Sequence, residues 1–153
     1  MKRLLLAASI LGVLGVSGVA LGASKHKARS DKGTVYATIV HQVGNQEIAD
    51  GDAKSKLFGD AAITYRVTVG GSNAPGSVLI KANRITLWTK KGSLTGTGQA
   101  TQTINPDGTG NVTGGTFKLT HGTGALKGHR LTGTFSGPFN GSFYTFAYKA
   151  TYR

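Results

Sequence analysis

After residue 32 the chain shows no run of apolar residues at helical spacing; its recurring pattern has a period of two. From Ala61 to Val69, the residues Ile63, Tyr65, Val67 and Val69 share one phase, and Thr64, Arg66 and Thr68 take the other. From Tyr144 to Arg153, Tyr144, Phe146, Tyr148, Ala150 and Tyr152 alternate with Thr145, Lys149, Thr151 and Arg153. Successive side chains of a strand point to opposite faces, so both segments are expected to be strands with one dry face and one wet face. Val35, Ala37 and Ile39 begin an earlier strand. Val78, Ile80 and Ala82 keep one phase, which Ile85 and Leu87 have left. A bulge or turn near Asn83 and Arg84 is expected to absorb that slip.

The segment from Gly92 to Gly141 holds more than half of the chain's 24 glycines, together with many threonines. Low-complexity disorder is one reading of such a composition. Against it, Leu94, Gly96, Gly98, Ala100, Gln102 and Ile104 alternate with Ser93, Thr95, Thr97, Gln99, Thr101 and Thr103. Threonine favours pleated backbone, and a glycine inside a strand marks a bend or a close backbone approach. Turn signals at Asn105–Gly110 and Gly137–Ser142 divide the segment. The whole pattern predicts an all-β domain of about eight strands with short connections, arranged as an antiparallel up-and-down β-barrel, with a β-sandwich as the alternative. An outer-membrane barrel is disfavoured: the Gly92–Ile104 strand offers Ser, Thr and Gln on one face and mostly Gly and Ala on the other, and neither makes a lipid-facing band.

Lys2 and Arg3 precede an apolar or small-residue stretch from Leu4 to Leu21, followed by the small-residue run Ala20-Leu21-Gly22. This is the layout of a secretory signal peptide spanning residues 1–22, and it predicts a secreted, extracellular or periplasmic protein. An N-terminal membrane anchor is the competing reading, and the glycines that dilute the stretch weigh against it. Residues 23–32 are basic and aperiodic and are expected to form a flexible linker, which leaves 33–153 as a single β-barrel domain. With no cysteine, the fold must rest on burial and strand pairing. The formal net charge of +12 favours anionic partners such as a cell-wall polymer, although a solvated face is the better account of charges so scattered.

Val112–Phe135, "VTGGTFKLTHGTGALKGHRLTGTF", together with Tyr144–Arg153, "YTFAYKATYR", resembles the barrel shared by allene oxide cyclases and dirigent proteins, and in particular their small secreted bacterial relatives. In place of that family's Gly-Gly-Thr-Gly-x-Phe-x-Gly stretch stands His121 to Gly128, with His121 replacing the first glycine and Leu126 the aromatic. The resemblance covers the C-terminal half and implies an eight-stranded antiparallel barrel with a central cavity. None of the family's catalytic residues maps onto this chain, so an isomerase or cyclase activity is only an alternative.

Little in the sequence points to chemistry. The glycines from Gly122 to Gly128 are not followed by a helix whose N-terminus would hold a phosphate. His121 and His129 flank that stretch with no third metal ligand near them. Asn105 to Gly110 imitates the start of a calcium loop, but Thr116 stands where the bidentate carboxylate belongs. The six acids, Asp31, Glu47, Asp50, Asp52, Asp60 and Asp107, all fall in expected loops, the tail or strand edges, and none is expected inside the barrel. Asp50-Gly51-Asp52 reads as a loop. No catalytic residue, metal or cofactor is therefore assigned, since acid–base work in a barrel needs a buried, shifted group. Tyr65, Tyr144, Phe146 and Tyr148 are the expected lumen residues for a small apolar ligand. Lys90, Lys91, Lys127 and Arg130 are the candidate anion contacts. Nucleic acid is an unexpected partner because the aromatics and cations of the last strand lie on opposite faces. The resulting expectation is a non-catalytic exported barrel, with a ligand-free structural envelope protein as a further alternative.

Overall fold

The computed structural model describes residues 27–71 and 74–153. The expected signal peptide lies outside the described residues. Eight strands follow one another: β1 (Arg29–Val43), β2 (Gln46–Ser55), β3 (Gly59–Gly70), β4 (Ser77–Thr89), β5 (Gly92–Ile104), β6 (Thr109–Gly122), β7 (Leu131–Asn140) and β8 (Phe143–Tyr152). Each pairs antiparallel with the next, and β8 pairs with β1 from Arg29↔Tyr152 to Thr38↔Phe143, so the sheet is a closed barrel. Closure leaves no unpaired sheet edge and excludes the sandwich alternative.

The phase slip in β4 is real. Its pairing with β5 jumps between Ala82 and Ile85, and its pairing with β3 shifts between Arg66 and Val67. Both halves of β4 thereby keep their apolar residues inside: Ile80, Ala82, Ile85 and Leu87 are all buried. The glycine-rich segment forms β5, β6 and β7 with their connections, and its strand glycines admit close backbone approaches. At Gly96, where the β5–β6 register shifts, a β-carbon would strike the Lys118 carbonyl oxygen of the neighbouring strand. The interior combines alanines such as Ala37, Ala49, Ala53 and Ala100 with large aromatics, the small-against-large filling that a narrow barrel requires.

Two expectations need correction. Residues 23–32 are not all linker, because β1 starts at Arg29 and Asp31 is buried in it. Asp31 keeps the phase of Val35 and Ala37, and its partners lie inside the barrel, so the domain begins ahead of residue 33. Asp50-Gly51-Asp52 is not a loop but the middle of β2, with both aspartates on the outer, exposed face.

Alternating strand direction sorts the connections onto two ends. The terminal end holds both described chain ends and the connections 56–58, 90–91 and 123–130. The far end holds 44–45, 71–76, 105–108 and 141–142. The longest terminal-end connection folds back over the β4–β5 turn. There Ala125 N donates to Lys91 O (2.9 Å), Thr123 N donates to Ser93 O (2.9 Å), and a short 3-10 turn at Gly124–Leu126 buries Leu126 in the core.

Candidate functional site

Residues from all eight strands, most of them on β3, β4, β6 and β8, surround an apolar cavity of about 100 Å³. Tyr65, Tyr144, Phe146 and Tyr148 all line it, with Ile80 and Phe117 among the others. The aromatics hold one another in place. Tyr144 and Phe146 have ring centroids 5.2 Å apart, Phe146 meets Phe135 edge-on at 5.2 Å, and Tyr65 meets Tyr144 edge-on at 6.2 Å. Such offset and edge-on contacts are the favoured aromatic geometries, and they stiffen the cavity wall.

Two carboxylates lie inside the barrel, contrary to the expectation that none would. Glu47 starts β2 in phase with Ala49, Ala53 and Ser55, and it is buried near the far end. The Tyr144 hydroxyl donates toward Glu47 Oε2 (3.4 Å) and Gln102 Oε1 (3.3 Å), and Gln42 Nε2 donates to Glu47 Oε1 (3.3 Å). Burial pushes the Glu47 carboxyl above its ordinary range, and the Tyr144 hydrogen bond offsets part of that rise. Glu47 does not line the cavity; Tyr144 does.

Asp31 is the second interior acid, only 1 % exposed near the terminal end. Ser55 Oγ donates to it at 2.9–3.0 Å, Leu57 N donates to Oδ1 at 3.0 Å, and the Tyr148 hydroxyl donates to Oδ2 at 2.9 Å. Ser55 Oγ also accepts from Phe58 N (3.0 Å). One carboxylate thus ties β1, the β2–β3 turn and β8 together where the barrel closes. With every donor engaged, this is a structural clamp and not a free acid or base.

Tyr65 differs from both other interior phenols. Tyr144 and Tyr148 each find a carboxylate, whereas the Tyr65 hydroxyl is the one buried side-chain polar atom among the described residues with no hydrogen-bond partner. A buried donor left unmade costs roughly 1–3 kcal/mol, and such atoms are rare in folded proteins. Here the atom belongs to a residue lining an apolar cavity, where a ligand's acceptor would satisfy it.

Comparison with protein-family models, curated proteins and solved structures returned no match. The site must therefore be read from its own geometry.

All three interior phenols are shifted upward: Tyr65 mainly by burial and then by Tyr144 and Glu47, Tyr144 by burial and then by Glu47, and Tyr148 by burial, with the Asp31 charge adding to the rise. A phenol that ionises later in the folded than in the unfolded chain stabilises the fold fully below its unfolded value of about 10, and that stabilisation is lost as pH rises through the folded value. Tyr65, Tyr144 and Tyr148 are therefore expected to ionise only as the sheet signal in circular dichroism collapses above about pH 10. An absorbance titration in which these phenols ionise while the sheet stays intact would contradict their burial.

The predicted anion contacts lie elsewhere. Lys90 and Lys91 form the β4–β5 turn, and Lys127 and Arg130 sit in the β6–β7 connection, all exposed at the terminal end and away from the cavity. His129 stacks on Tyr152 at 4.8 Å, and His121 contacts Thr120 Oγ1 at 3.2 Å. Asp107 is used within its turn, where Thr109 N donates to it at 2.9 Å.

Sequence reasoning missed Asp31, Ser55, Glu47 and Gln102 as interior polar residues. The signal that places them is the same period of two: Asp31 is in phase with Val35, Glu47 and Ser55 with Ala49, and Gln102 with Ala100.

Proposed function

We propose that the barrel binds a small, mostly apolar molecule in its lumen and orients it by one hydrogen bond from the Tyr65 hydroxyl. The observation that carries this reading is the unpartnered Tyr65 hydroxyl beside an apolar cavity of about 100 Å³. That volume is below the roughly 150 Å³ of an apolar cavity that holds benzene, so the fit is to a ring of about five heavy atoms or the end of a slender chain. The ligand needs one acceptor, such as a carbonyl or ether oxygen, because Tyr65 brings a donor.

Binding without turnover fits the site better than the cyclase chemistry implied by the resemblance to allene oxide cyclases. The phenols are shifted away from neutral pH, Asp31 is saturated with donors, and Glu47 reaches the cavity only through Tyr144. Export belongs to the same proposal and rests on Lys2, Arg3 and the apolar Leu4–Leu21 stretch.

A matched pair of probes tests the reading. Tetrahydrofuran and cyclopentane are five-membered rings of nearly the same shape, and only the ether accepts a hydrogen bond. In an NMR titration, Tyr65→Phe is expected to weaken tetrahydrofuran roughly tenfold while leaving cyclopentane unchanged or slightly tighter. Equal effects on both probes, or none on the ether, would remove Tyr65 from the site.

A further inference from the structure

We infer that the terminal end of the barrel docks on an anionic lipid surface. The inference is independent of the lumen reading and rests on the distribution of charge between the two ends. The terminal-end connections carry Lys56, Lys90, Lys91, Lys127 and Arg130, all exposed, and no acid. Arg29 and Arg153 add to them where the chain enters and leaves the barrel, against one exposed acid at this rim, Asp60 at the start of β3. Among the described residues, the far-end connections carry no lysine or arginine and one acid, Asp107. The cations are far apart in sequence and meet because every second connection of an up-and-down barrel falls on the same end.

Their arrangement and company favour a membrane over a soluble polyanion. They come from three connections and both chain ends, so they ring the barrel mouth and face a plane; a linear polymer would be matched by a stripe along a groove. Beside them stands Trp88, 51 % exposed on the outer wall of β4, two positions before Lys90. Tryptophan next to lysine suits the headgroup layer, where an indole places its apolar body and its N–H at the same depth. The exposed apolar residues Val43, Ile104 and Phe143 lie toward the far end, where the connections hold no cation.

Trp88 is the only tryptophan, so its fluorescence reports the rim directly. The full chain is mixed with phosphatidylcholine vesicles, either pure or containing about 30 % phosphatidylglycerol. The N-terminal stretch is common to both samples and cancels. The expected result is a shift of Trp88 emission to shorter wavelength and reduced quenching by acrylamide on the anionic vesicles alone, both reversed by about 0.5 M salt. A chain carrying K90E, K91E and K127E together is expected to lose at least about tenfold in affinity for the anionic vesicles while keeping its circular dichroism. Identical Trp88 spectra on neutral and anionic vesicles would overturn the inference. So would tight binding of soluble polyphosphate with no Trp88 shift on vesicles, which would assign the rim to a polymer instead.

Discussion

Replacing Asp31 by alanine is expected to destabilise the barrel by about 3–5 kcal/mol, because the buried Ser55 and Tyr148 hydroxyls would lose their shared acceptor at once and the half-buried Leu57 N would be left with Ser55 Oγ alone. Ser55 Oγ, Leu57 N and the Tyr148 hydroxyl all point at this carboxylate within 2.9–3.0 Å. No other acid is placed to replace it: Asp60 is exposed, and Glu47 belongs to the far end. In urea unfolding the midpoint should fall by about 2 M at unchanged slope. Asp31→Asn keeps the shape and one acceptor oxygen and should cost less. A chain starting at Gly33 lacks this residue and the first pairs of β1 with β8, so it should be weakened at least as much as the alanine variant. A loss below about 1 kcal/mol in Asp31→Ala would mean that the closure does not depend on this clamp.

Gly96→Ala should be comparably damaging for a steric reason. The added carbon would collide with the Lys118 carbonyl oxygen and lie 2.7 Å from Leu119 Cα, so β5 and β6 would have to separate at the point where their register shifts. Neither obstacle is a flexible side-chain tip. A cost of about 3 kcal/mol or more is expected, in the range of severe overpacking. Gly71→Ala supplies the contrast. That glycine sits in the β3–β4 connection, where an added methyl group would meet nothing within 4 Å, and its substitution should stay within about 0.5 kcal/mol. Thermal or urea unfolding of the two variants side by side measures the difference. Equal effects would show that the strands are not pressed together at Gly96.

Much of the fold is legible in the side-chain period. The alternation of Ile63, Tyr65 and Val67, and that of Tyr144, Phe146 and Tyr148, survives as the inner wall of the barrel. The slip around Asn83 and Arg84 is legible too, since a strand with one buried face cannot change phase without a register break. The interior acids are harder to see. An unpaired buried carboxylate is too costly to expect, and the partners that make Asp31 tolerable are 24 and 117 positions away in the chain. Only the closed register of β1 with β2 and β8 brings them together. Composition misleads in the same place, because the basic residues around Asp31 give that segment the look of a solvated tail. The cationic rim is hidden for a related reason. Lys56, Lys91, Lys127 and Arg153 are scattered in sequence, and their convergence depends on the direction of each strand.

Ligand binding in the lumen depends on the Tyr65 hydroxyl being a donor without a partner in the folded chain. Tyr65→Phe, unfolded in urea without ligand, measures this most directly. The predicted result is a protein as stable as the parent or more stable by about 1–2 kcal/mol, since an unsatisfied buried hydroxyl is removed and the ring is kept. A loss of about 1 kcal/mol or more would show that the hydroxyl is already bonded within the fold, and the lumen would then have no vacant donor to offer a ligand.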